Sequence, residues 1–113
     1  MTLLEAVYAE GVAEYFGELI SGRVITPEIH RYGRQHEAAL LERFRVDMHG
    51  NDSSNWLYQG SQATVEPADL GYFIGYQLVK AYFEGATDRQ QALEMLLTTM
   101  DVAKIAEESG YLR

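Results

Sequence analysis

The stretch "PADLGYFIGYQLVKAYFEGA", residues 67–86, decides the fold. Leu70, Phe73, Ile74, Leu78 and Tyr82 recur at helical spacing along one side, and Tyr72, Tyr76, Val79 and Phe83 along another. A helix that is apolar on nearly every side is a buried one. The spacing therefore predicts a central helix over residues 67–85. Gly71 and Gly75 each cost such a helix about 1 kcal/mol relative to Ala. A face shared by two glycines also lets another backbone come close, which offsets that cost. The same spacing pairs helices in membranes, but Gln77 and Lys80 interrupt this one. Its most apolar run, residues 70–79, is too short to cross a bilayer.

Before the central helix lies "HGNDSSNWLYQGSQATVEP", a linker rich in Gly, Asn, Asp and Ser. Trp56, Leu57 and Tyr58 interrupt it and are expected to fasten it to the core. Further back, Pro27 to Met48 reads as one helix, with Leu40, Leu41, Phe44 and Met48 as its apolar stripe. "SGRVITPEI" separates it from a first helix over Thr2–Ile20, with Gly22 as a C-terminal stop. On the far side, Thr87 and Gln90 read as a capping box for a helix ending near Thr98. Asp101 caps a last short helix that Gly110 closes. No segment alternates with period two. The expected fold is all-α, one domain over residues 1–113, a compact bundle of about four longer helices plus short turns.

Composition narrows the function. The chain has 113 residues, 47% of them apolar, which is enough for a packed core. Two lysines and seven arginines face seventeen acids, giving a net charge of −8. Nucleic acids and anionic membranes select basic surfaces, so neither is an expected partner. There is no cysteine, which removes disulfides, thiolate zinc sites and cysteine nucleophiles. Met1 is followed by Thr-Leu-Leu-Glu without the basic-then-apolar pattern of a secretory signal, so a cytoplasmic location is expected.

The first helix carries the candidate chemistry. In "EGVAEYFGELISG", residues 10–22, Glu10, Glu14 and Glu18 recur every four positions, which places them along one side. Glu10 and Glu14 share a sector with Leu3 and Val7, while Ala9, Ala13, Phe16 and Ile20 occupy the opposite side. A carboxylate withdrawn from water costs several kcal/mol unless it is paired, hydrogen-bonded or metal-bound. The acids are therefore solvated after all, paired with arginines such as Arg31 or Arg34, or left from a metal site.

"TLLEAVYAEGVAEYFGELISG" resembles the helix after the catalytic one in predicted zinc-dependent proteases of the HExxH type, a bacterial family related to gliding-motility lipoproteins. Residues 66–111, with their Pro-x-Asp-x-Gly-Tyr-x-Ile-Gly-Tyr run and terminal Ser-Gly-Tyr, are similar to the C-terminal segment of that family. The resemblance implies a zinc site of two HExxH histidines and a later glutamate, with the HExxH glutamate as general base. It matches Glu10 to the zinc-binding glutamate and Glu14 to an acid that orients a ligand histidine. The sequence departs from the pattern. The HExxH segment belongs ahead of Glu10, where nine residues stand and none is His. "HEAAL" at 36–40 has Leu40 in place of the second ligand and follows the glutamates, and His30 and His49 sit in no ligand spacing. No metal is therefore expected. If one is present, Glu10 is the candidate ligand with Glu14 behind it.

Three functions follow as expectations. The first is a non-catalytic helical module, similar to the C-terminal half of such a protease, that covers an apolar face by homodimerising or by binding a protein partner. The second is a hydrolase whose zinc site is completed in trans, by another polypeptide or by His30, His36 or His49 of a second copy. The third is a binder of a small cationic or polyol-like ligand, with Glu10, Glu14, Trp56, Tyr72 and Tyr76 lining its pocket.

Overall fold

The computed structural model describes residues 1–23, 27–57 and 69–113. Among these residues there are six helices and no strand: α1 (Leu3–Ser21), α2 (Pro27–Gln35), α3 (Glu37–Asp47), α4 (Gly71–Gly85), α5 (Arg89–Thr98) and α6 (Val102–Ser109). The all-α expectation holds, and the apolar segment is central. Phe73, Ile74, Leu78 and Val79 of α4 are fully buried, and α4 packs on α1, α2, α5 and α6.

The most extensive packing in the fold is α1 against α4, and its crossing point is glycine on glycine. A Cβ on Gly75 would overlap the Val7 carbonyl, and one on Gly11 would overlap the Gly75 carbonyl. The second glycine of the pair has a different neighbour. A Cβ on Gly71 would lie 2.8 Å from the Trp56 carbonyl oxygen, and the Gly71 N–H donates to that same oxygen at 2.8 Å. The two glycines thus dock two elements on α4 rather than sharing one face.

Caps define both ends of α1 and α6 and the start of α5. Thr2 and Glu5 form a reciprocal capping box at the start of α1. The N–H groups of Leu3 and Leu4 donate to the carbonyls of Gly50 and Met48, which ties α1 to the end of α3. Gly22 ends α1 at φ 74° and Gly110 ends α6 at φ 72°. Asp101 caps α6 through the Lys104 N–H. At α5 the cap is Asp88, which accepts from the Gln91 N–H at 3.1 Å, rather than Thr87. Asp is at least as good an N-cap as Thr, and the register moves by one residue.

The single helix expected over Pro27–Met48 is broken at His36 (φ −123°, ψ 19°). The Tyr32 carbonyl receives both the His36 N–H at 3.1 Å and the His36 ring nitrogen Nδ1 at 3.0 Å. The Tyr32 and His36 rings stack at 4.0 Å. This local side-chain competition for a helical carbonyl ends α2 and restarts the chain as α3. Trp56 and Leu57 are buried as expected, whereas Tyr58 and the expected helix start at Pro67 lie outside the described residues.

Candidate functional site

Glu14 is the buried acid of α1, 6% exposed beside Leu3 and Val7. Its Oε1 lies 2.8 Å from Nε2 of His30, which is itself 3% exposed. The imidazole of α2, not the guanidinium of Arg31 or Arg34, meets this carboxylate; both arginines are exposed. The ring is fixed from its other sides by α4. Its centroid is 4.4 Å from Tyr76 and 5.8 Å from Phe73, both edge-to-face. Gly33, one turn later, lets the α2 backbone lie against the Phe73 ring.

One turn along α1, Glu18 accepts a hydrogen bond from the Tyr76 hydroxyl, and Glu84 accepts one from Tyr15 at 3.4 Å. Tyr15 and Tyr76 pack edge-to-face at 5.5 Å. Burial, reinforced by the neighbouring carboxylate, pushes both phenols above their ordinary pKa. They act here as donors that hold acids in place. The Lys80 ammonium stands 5.9 Å over the Tyr76 ring. These residues line a shallow polar cleft of about 320 Å³ at the end of α1.

Of the five residues proposed from sequence, Glu14 and Tyr76 come together around His30. Glu10 is half-buried on α1 and Tyr72 half-buried on α4. Trp56 packs edge-to-face with Phe44 at 5.3 Å, donates to Asp47 at 3.0 Å and carries Arg43 over its ring. It braces the 48–57 turn. His30 is the partner of Glu14 that spacing missed, because it lies 16 residues away and belongs to no ligand motif. On α2, His30 and Gly33 are buried, with Ile29 and Tyr32 half-buried against the core beside them. Glu37 of "HEAAL" is structural, accepting from Tyr111 at 2.7 Å and Gln77 at 3.1 Å.

A catalytic zinc site takes three protein ligands and an open position. Among the described residues no group of three His, Cys, Asp or Glu side chains is gathered to hold a metal. The buried carboxylate and the buried imidazole are bound to each other. The donor set of the described residues does not fit zinc. Among the described residues, no helix is long and apolar enough to cross a membrane.

The chain belongs to the family described as "Predicted Zn-dependent protease" (DUF2268), whose pattern matches residues 1–106. No curated protein and no solved structure matches it.

Proposed function

We propose that the chain is a non-catalytic module of this protease-like family, similar to the C-terminal half of an HExxH protease with gliding-motility lipoprotein relatives, and that it acts in the cytoplasm by pairing with a second copy of itself. One observation carries this reading: the outward side of α1 is apolar and uncovered. Ala9, Ala13 and Ile20 are exposed, and Val12, Phe16 and Gly17 are half-buried beside them. Ile20 is 87% exposed. No basic residue occurs on α1. Apolar faces of this kind serve association, and the small side chains allow two helices to approach closely. In an antiparallel pair centred on Ala13, Glu10 of each copy would stand opposite the partner's Phe16, which offsets the two Glu10 charges from each other.

Light scattering at micromolar concentration tests this. A dimer that Ala13→Arg converts to monomer supports it, and a wild-type monomer rejects it. The second reading, a zinc site completed in trans, draws on Glu10, which is half-buried at the edge of the same face. Stoichiometric zinc lost on Glu10→Ala, in a complex with a histidine-bearing partner, would favour that reading.

A further inference from the structure

We infer that α3 and the groove beside it form a recognition site for a short protein segment of the type Tyr-Leu-x, and that residues 111–113 of the chain occupy this site in cis. Gly110 ends α6 at φ 72°, and Tyr111, Leu112 and Arg113 belong to no helix. Side chains of α3 hold them. The Tyr111 hydroxyl donates to Glu37 at 2.7 Å. Arg45 donates through Nε to the Leu112 carbonyl at 2.7 Å and through Nη2 to the Arg113 carbonyl at 2.5 Å. Glu37 and Arg45 stand about 12 Å apart along the α3 axis, at 1.5 Å of rise per residue. A single polar group cannot reach both, whereas a segment of two or three residues does. Between these anchors Leu112 is half-buried against the core and lines a groove with Leu4, Met48, Ala103 and Ala106. The acceptor end is itself fixed, since Gln77 of α4 donates to the same Glu37 oxygen at 3.1 Å.

The site selects by polarity in a fixed order. A carboxylate only accepts and a guanidinium only donates, so a bound segment must offer a donor at one end and main-chain carbonyls at the other. The groove between them takes an apolar side chain, whose burial supplies affinity. The surface is rigid beneath: Leu40 and Phe44 of α3 are fully buried, and the Met48 and Gly50 carbonyls past its end hold the N–H groups of Leu3 and Leu4. The resident segment contributes no backbone to a helix, so it can leave without unravelling one. Terminal segments of this kind open at low free energy while the core under them stays folded. The partner that fits is a segment of a different protein carrying Tyr-Leu in the same order. A second copy offers no advantage, because its own residues 111–113 are already seated on its own α3. Weak competitors are kept out because a short tether holds the resident segment at an effective concentration in the millimolar range.

Fluorescence anisotropy with a labelled Ser-Gly-Tyr-Leu-Arg peptide tests the inference on the full chain. Tyr111→Ala combined with Leu112→Ala vacates the site and leaves Glu37, Arg45 and the groove in place. This variant is expected to bind the peptide at least ~10-fold more tightly than the wild type, whose site is filled. Adding Arg45→Met to it is expected to weaken binding by ~10-fold, the loss of a charged hydrogen-bonding partner. Leu112→Ala alone, which keeps the Tyr111 bond, is expected to bind at least ~3-fold more tightly than the wild type, and it decides by the same criteria if the double variant does not fold. The inference is overturned if the vacated variant and the wild type bind the peptide equally, or if Arg45→Met changes nothing. It is equally overturned if unlabelled wild-type chain displaces the peptide from the vacated variant as well as free peptide does, since the occupant would then be a second copy.

Discussion

His30 and Glu14 stand 16 residues apart in the chain and 2.8 Å apart in space, one on α2 and one on α1, both almost sealed from water. That pairing answers the physical problem set by an acid on a buried helix sector. Removing one partner from a buried pair in a rigid core costs about 3–5 kcal/mol. His30→Ala is therefore expected to destabilise the fold by about 3 kcal/mol. Urea unfolding measures it. A loss below about 1 kcal/mol would show that the pair contributes little to the fold.

The glycine crossing is predicted to be far less tolerant. A methyl at Gly75 or Gly11 meets backbone, which cannot swing aside. Gly75→Ala and Gly11→Ala are expected to destabilise by at least about 3 kcal/mol, in the range of severe overpacking. Gly85→Ala is the control, since nothing lies within 4 Å of its added Cβ. It is expected to be neutral or to stabilise by up to about 0.5 kcal/mol through helix propensity. Thermal melts of the three variants separate close helix contact from a general intolerance of alanine.

His30→Ala also leaves a vacant seat against Glu14, Phe73 and Tyr76. Free imidazole is expected to fill it and raise the melting temperature of that variant. At ten times its Kd the ligand stabilises by about 1.4 kcal/mol. The wild type, whose seat is occupied, is expected not to respond. An equal shift in both proteins would place imidazole elsewhere.

Alkaline titration probes the buried phenols. Burial pushes the Tyr8 hydroxyl, which donates to the Leu96 carbonyl at 2.5 Å, up to about 12. Tyr76 and Tyr111 are also raised, by burial first and then by the bonds they give to Glu18 and Glu37. The folded state therefore keeps protons that the unfolded chain releases near pH 10. Stability from these groups is whole below about pH 10 and is lost as pH rises through about 12. Tyrosinate absorbance should show a fast-ionising set of tyrosines and a late set that appears together with unfolding. A single transition near the free-tyrosine value in the folded protein would contradict this placement.

Much of this architecture was legible in the sequence because it is written in local chemistry. The all-round apolarity of residues 70–79 located the central helix, and Gly22, Asp101 and Gly110 marked ends that their backbone geometry bears out. The sector of Glu14 with Leu3 and Val7 followed from helical spacing. What spacing cannot carry is a contact between helices. Gly11 as the partner of Gly75 and His30 as the partner of Glu14 are both tertiary facts. The break at His36 was hidden for another reason: it arises from a ring nitrogen competing for the Tyr32 carbonyl inside an otherwise helical pattern. Trp56 was read as a pocket candidate because aromatic rings suit pockets and turns alike. Its bonds to Asp47 and Phe44 belong to the turn.

The proposed pairing through α1 can be tested in a chain that carries no cysteine of its own. A single Ala13→Cys substitution puts one thiol at the centre of the outward face, and Glu94→Cys puts one on exposed α5. Under mild oxidation at micromolar concentration, Ala13→Cys is predicted to form a disulfide-linked dimer quickly and nearly completely, while Glu94→Cys stays monomeric. Equal, slow cross-linking of both variants would contradict a second copy seated on α1.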